Sequence, residues 1–412
     1  MLDYETHTFA NGIRLIHKQV GHSRIAHLGF ILDIGSRDEK AGEEGIAHFW
    51  EHMAFKGTKK RKAFHILNRL EAVGGDLNAY TTKEKIAFYA AVLDKHYAMA
   101  AELLTDITFG SIFPPREIEK ERGVILEEMA MYLDTPDDSI FDDFDGQLFA
   151  NHPLGVNILG NQETVSRFGK SDFEQFIGRN LDTSRIVFSS VANLPLRKVV
   201  AWLEKFLAHI PAQGLKPGRT KPTIQPTSQV VQRKPISQAH FVMGSPAFAW
   251  EHPDRLPFYM LCNILGGPGA NSKLNLALRE RNGFVYGVEA GYNAFTDCGQ
   301  FHIYFATDPK RLQKSQALVA KELKGLRDKP LGAVQFHMAK EQLMGQLAMS
   351  EESNSGLMQV LGKSLLDSGR LESLAEIFAQ INAVSAPQLQ DLAQRMYRPE
   401  AMSTLTYLPE EN

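Results

Sequence analysis

The stretch Gly45-Ile46-Ala47-His48-Phe49-Trp50-Glu51-His52-Met53-Ala54-Phe55-Lys56-Gly57 decides how the rest of the chain is understood. It contains H-x-x-E-H. Residues four apart on a helix lie on one face, about one turn from each other. His48 and His52 therefore point the same way, and two imidazoles so placed can hold one divalent metal ion. Glu51 comes three residues after His48 and borders the same face, where a carboxylate can take a proton from water held at the metal. The order is the reverse of the commoner H-E-x-x-H zinc-binding helix.

A zinc ion that does chemistry needs a third protein ligand and an open position for water. The next strongly helical run is Pro114-Pro115-Arg116-Glu117-Ile118-Glu119-Lys120-Glu121-Arg122-Gly123-Val124-Ile125-Leu126-Glu127-Glu128-Met129. Its two prolines suit a helix start. Glu121 and Glu128 are two turns apart and share a face, whereas Glu127 points about 100° away from Glu128. Glu128 is the expected third ligand. Glu121 is expected to support a histidine or the water from just outside the ligands.

With these residues in place the chain resembles the insulinase (pitrilysin) family of inverted zinc metallopeptidases, whose signature is H-x-x-E-H with a ligand glutamate some 75 residues on; Glu128 stands at that distance from His52. The resemblance spans nearly the whole chain. It is closest to short-chain members similar to mitochondrial processing peptidase and its bacterial relatives. It implies one Zn2+ per chain and a peptide substrate.

The residue counts agree with a globular protein of more than one domain. The 412 residues suggest two domains of about 200. An apolar fraction of 43% with 23% charged residues is ordinary for such proteins. A net charge of −3 argues against a nucleic-acid partner. Cys262 and Cys298, the only cysteines, argue against a disulfide framework. Neither a signal peptide after Met1 nor an uncharged apolar run of membrane-spanning length is visible. The expected location is the cytoplasm.

Along the chain, Thr6 to Phe9 and Ile13 to His17 are strand-like, with the turn signal Asn11-Gly12 between them. Ile25 to Ile34 is an apolar strand. Phe64 to Val73 is an amphipathic helix closed by Gly74-Gly75. Asp76 to Thr82 and Ile86 to Val92 read as a strand pair. The resemblance implies that Asn78, Ala79, Tyr80 and Thr81 form a sheet edge beside the zinc, to which a substrate peptide adds as a further strand. Six aspartates between Asp134 and Asp145 either attract basic substrate side chains or simply form a solvated helix start.

The pattern then repeats. A helix from Ser171 to Asn180 precedes a strand from Arg185 to Val191, and a helix from Ser385 to Tyr397 precedes a strand from Met402 to Leu408. The second half restarts with a strand, Ala239 to Met243, and a helix from about Arg255 to Leu265. That helix matches the metal helix but carries Phe258, Tyr259, Met260 and Leu261 instead of ligands. The expected fold is α+β: two duplicated domains, each a mostly antiparallel sheet with helices packed on one face. The expected bounds are residues 1–210 for the metal-binding domain, 211–227 for a linker poor in apolar residues, and 228–412 for the repeat without metal.

The resemblance also implies half of a clamshell, with an arginine and a tyrosine seven residues apart facing the zinc. Arg279 and Tyr286 match them, and Arg281 is a rival for the arginine. Such groups donate hydrogen bonds to substrate carbonyls and to a developing oxyanion. In the resembled family two halves, each about the size of this chain, enclose the chamber, with the zinc in one and that pair in the other, so the resemblance implies a homodimer with sites shared between chains. The leading expectation is a zinc endopeptidase acting on unfolded peptides. The alternative is a non-catalytic scaffold or partner subunit on the same fold.

Overall fold

The computed structural model describes residues 4–215 and 218–410. Met1 to Asp3, where the N-terminal reading begins, and Lys216 and Pro217 of the expected linker lie outside the described residues. So do Glu411 and Asn412.

Two sheets organise the chain. The first holds β1 (Glu5–Thr8), β2 (Arg14–Gln19), β3 (Ile25–Leu32), β4 (Asp76–Thr81), β5 (Ile86–Leu93) and β6 (Ile186–Ala192) in the order β1-β2-β6-β3-β5-β4. The second holds β7 (Gln229–Lys234), β8 (Ala239–Ala247), β9 (Val285–Ala294), β10 (Gly299–Thr307) and β11 (Ser403–Pro409) in the order β7-β11-β8-β10-β9. Leaving β1 aside, the two orders superimpose strand for strand. The β2/β6 and β11/β7 pairs are parallel, and every other ladder is antiparallel. The repeat legible in the sequence is therefore a repeat of sheet topology. β7 has alternating exposure and no strong apolar pattern, which is why the sequence reading started the second sheet one strand late.

Local signals placed the first elements. Gly12 takes φ +90° in the turn between β1 and β2, a left-handed conformation that glycine adopts freely. The metal helix spans Ile46–Ala54 and buries Ile46, Ala47, Phe49, Trp50, Met53 and Ala54 completely. A helix apolar on nearly every side belongs inside a core, and this one packs with Phe30, Phe88 and Phe176 in the main core of the first unit.

The two structural units do not follow the sequence halves 1–210 and 228–412. One unit takes residues up to Ala130, Val156–Thr220 and Met349–Leu371; the other takes Met131–Gly155, Lys221–Ala348 and the remainder from Glu372. Each sheet carries its main helical layer on one face, as expected, and one further helix on the other. In the first unit that helix is Asn354–Ser368, whose Leu357, Met358, Leu361 and Leu365 pack on Ile16, Val187 and Val191. Gly362 lets it approach: a Cβ there would lie 2.4 Å from Ile31 Cδ1 and 2.9 Å from Ser189 Cβ. In the second unit the helix is Pro136–Leu148, whose Ile140, Phe144 and Leu148 pack on Val242, Leu405 and Tyr407. An apolar stripe specifies that a helix face is buried and leaves open which sheet buries it.

The expected linker has no regular secondary structure, yet its first part is strapped to the first unit. Gln213 N and Leu215 N donate to Thr183 Oγ1 and Asp182 Oδ2. Arg219 is buried among Asp33, Asp38 and Glu84. Among the described residues no helix is long and apolar enough to cross a membrane.

Candidate metal centre

Gly45 sets the start of the metal helix. It adopts φ +95°, and a Cβ there would lie 2.5 Å from Leu159 O, so no larger residue fits without displacement. The buried Glu39 carboxylate accepts from Gly45 N at 3.0 Å and Ala47 N at 2.9 Å, satisfying amides that the first turn leaves without helical partners. Nothing in the sequence pattern singled out Glu39 for this role.

One turn later His48 is buried and His52 half-buried, with ring centroids 4.6 Å apart. The helix that faces them, Pro115–Leu133, buries Ile118, Glu121 and Ile125, and the same stripe continues to Glu128. Glu127 is exposed. His48 Nε2 lies 3.8 Å from Glu128 Oε1, and His52 Nε2 lies 3.6 Å from Glu128 Oε2. These separations are too long for hydrogen bonds. They are close to the ~3.3–3.5 Å between donors that each sit ~2.0–2.2 Å from a tetrahedral zinc. One atom from each of the three residues falls within 4.8 Å of the others, the one such cluster among the described residues. Two imidazoles and a carboxylate are donors that zinc accepts. The residues therefore fit the ion.

Their electrostatics favour neutral imidazole on the buried side. Burial, helped by the neighbouring His52, lowers His48 to about 3, so its nitrogens are free to act as donors to a cation. Glu51 is raised above its ordinary value by burial and by Glu128, with the Thr81 hydrogen bond and His52 acting against that rise. Such a shift moves a carboxylate towards the range where a general base works near neutral pH.

Thr81 donates to Glu51 Oε2 at 2.6 Å. It is the last residue of β4, which is the edge strand of its sheet. Thr81 was expected only as part of a peptide-binding edge, and its hold on Glu51 is a contact that sequence reasoning missed. The other three residues of that expectation divide by strand alternation. Ala79 packs on the main core. Tyr80 turns to the opposite face, where its hydroxyl donates to Gln359 Oε1 at 2.7 Å and Lys363 lies 4.9 Å from its ring centre. Asn78 is exposed and bonds Asp76. What β4 leaves open at the edge of its sheet is thus chiefly its main chain.

Glu121 stands where the sequence put it, beside a histidine: its Oε1 is 2.9 Å from His52 Nδ1. Its other oxygen is 2.6 Å from Lys56 Nζ. Lys56 was not anticipated, although its position four residues after His52 was a signal available in the sequence.

In the second unit, Arg279 and Tyr286 line a cleft of about 1260 Å³; among the described residues Arg281 does not line it. The Arg279 guanidinium lies 5.7 Å from the Tyr286 ring centre, and Tyr286 is 92% exposed. Asp134, Asp137 and Asp138 line the same cleft. Asp142 and Asp143 instead accept hydrogen bonds from Tyr132 and Tyr407, so part of the aspartate run is structural.

A repeated α+β fold with a His–His–Glu donor set beside a raised carboxylate defines a class of protein suited to holding a divalent metal next to a base. The insulinase (peptidase family M16) model matches residues 15–162, and the model of the peptidase M16 inactive domain matches residues 167–343. An uncharacterized zinc protease of Bacillus subtilis is 32% identical over 95% of this chain and 95% of its own length. One from Rickettsia bellii is 30% identical over 96% of this chain and 95% of its own. Among solved structures, a peptidase M16 inactive domain from Pseudomonas fluorescens covers 100% of this chain and 99% of its own at TM-score 0.92 with 18% identity. A protease from Helicobacter pylori covers 98% of this chain and 99% of its own at TM-score 0.89 with 19% identity. The chain belongs to the insulinase family, peptidase family M16.

Proposed function

We propose that this chain is a zinc-dependent endopeptidase that hydrolyses unfolded peptides or short polypeptides, with His48, His52 and Glu128 as the ligands of one zinc ion. The observation that carries the proposal is the convergence of those three side chains beside Glu51, itself tied to the end of the edge strand β4. When bound, zinc supplies Lewis acidity, which makes a water easier to deprotonate and a carbonyl easier to attack. Glu51 receives the proton of the attacking water and delivers it to the departing amine nitrogen. Thr81 holds Glu51 Oε2, leaving its other oxygen for the water. Glu121 orients His52 through Nδ1, which aims Nε2 towards Glu128. The main chain of β4 aligns an extended substrate, a mode that accepts many sequences because it bonds to the backbone.

Arg279 and Tyr286 complete the proposal as donors to the substrate carbonyl and the oxyanion. The working assembly is a homodimer in which that pair from one copy serves the metal site of the other. Names of relatives support the peptidase reading, since the Bacillus subtilis and Rickettsia bellii proteins are both called uncharacterized zinc proteases. The test is zinc analysis of purified protein together with hydrolysis of a mixed peptide library, with and without a chelator. One zinc per chain and chelator-sensitive cleavage are expected. Cleavage that persists after complete zinc removal would overturn the mechanism. Zinc at full occupancy with no cleavage would favour the scaffold reading.

A further inference from the structure

We infer that Lys56 is a positioning residue for the metal site, acting through Glu121 on His52; the inference rests on the zinc reading above. Three side chains form a line. His52 Nδ1 meets Glu121 Oε1 at 2.9 Å, and Glu121 Oε2 meets Lys56 Nζ at 2.6 Å. The Glu121 side chain is only 8% exposed and that of Lys56 26%. A carboxylate so buried is costly unless each oxygen has a partner.

The geometry gives each oxygen one task. An ionised carboxylate only accepts, so His52 must present N–H at Nδ1, and its Nε2 lone pair is left on the side of Glu128. Lys56 occupies the second oxygen and so prevents the carboxylate from rotating away from Nδ1. The chain path supports this division. His52 and Lys56 are four apart, one turn, with Lys56 just beyond the end of the metal helix at Ala54. Its backbone N still bonds Met53 O at 3.1 Å, which keeps the side chain on the same side as His52. Glu121 comes from the facing helix and is buried in the same stripe that leads to Glu128. One short rigid segment thus carries a ligand and the cation that fixes the ligand's partner.

Groups that orient a metal-bound histidine typically contribute 10–100-fold in metal affinity. The experiment measures zinc dissociation constants by chelator competition for the full chain and for Lys56→Met, Lys56→Arg, Glu121→Gln and the double variant Lys56→Met/Glu121→Gln. Thermal unfolding of each metal-free protein is followed in parallel. Lys56→Met should weaken zinc by about tenfold, and Lys56→Arg should restore most of that loss. The double variant should bind no more weakly than Glu121→Gln alone, because the lysine acts only through the carboxylate. Wild-type affinity in Lys56→Met would overturn the inference. So would losses that add in the double variant, or a loss that tracks only a fall in metal-free unfolding temperature. Failure of the unaltered chain to bind zinc at all would sink the metal reading itself, an outcome distinct from any of these.

Discussion

Replacing Arg219 by alanine should destabilise the first unit by about 3–5 kcal/mol, because it breaks a buried ion cluster from one side only. The Arg219 side chain is 6% exposed, and its guanidinium bonds Asp33 Oδ1 at 2.7 Å and Asp38 at 2.8 and 2.7 Å. It also donates to Glu84 O at 2.9 Å. Charged hydrogen bonds contribute about 1.5–3 kcal/mol each, but burying the guanidinium offsets much of their sum. What survives the substitution limits the loss. Glu84 keeps Arg37 at 2.6 Å, Asp33 keeps Arg185 at 2.5 Å, and Asp38 keeps the Gly35 amide at 2.9 Å. The remaining cost is that of buried carboxylates with too little positive charge. Urea unfolding followed by tryptophan fluorescence suits the measurement, since Trp50 and Trp202 both belong to the first unit. The pH dependence has a definite sign. Burial alone would raise Asp33, but Arg219 and Arg185 outweigh it and hold the carboxyl below its ordinary value of 3.8. Its contribution is complete above about pH 5 and is lost as the pH falls through the depressed folded value. The gap between wild type and variant should therefore narrow in acid. A difference below about 1 kcal/mol at pH 7 would mean that the cluster behaves as solvent-screened surface pairs, and the reasoning would fail.

Glu51→Gln should lower peptide hydrolysis by about 10²–10⁴-fold yet leave zinc bound, whereas His48→Ala and His52→Ala should lose both; zinc loss in Glu51→Gln as complete as in His52→Ala would make Glu51 a ligand. Glu128→Gln should weaken zinc far more than Glu127→Gln, and equal zinc stoichiometry in the two variants would remove Glu128 from the site. Mixing Glu51→Gln chains with Arg279→Ala/Tyr286→Phe chains should restore part of the activity if sites are shared between copies. No recovery after demonstrated subunit exchange would mean that each site is built within one chain, or that Arg279 and Tyr286 do not serve it.

Features that depend only on neighbours along the chain were legible in the order of residues. The four-residue spacing of His48 and His52 puts them on one helix face whatever surrounds that helix. The seven-residue spacing does the same for Glu121 and Glu128. The turn at Asn11-Gly12 and the glycine-closed helix before β4 are equally local, since they follow from backbone preferences of single residues. Recurrence of helix then strand showed the duplication, because both copies still need the same apolar pattern to cover a sheet. Tertiary structure alone decided the rest. Hydrophobic burial carries no address, so nothing in the stripes of Pro136–Leu148 or Asn354–Ser368 states which sheet each covers. Composition suggested a linker poor in apolar residues around Arg219, and the fold gathers Asp33, Asp38 and Glu84 around that arginine from separate segments. Glu51 meets Thr81, and Glu121 meets Lys56, only because two helices and an edge strand pack at one depth. Such meetings depend on distances in space between residues far apart in the chain, and no pattern within a window of sequence encodes them.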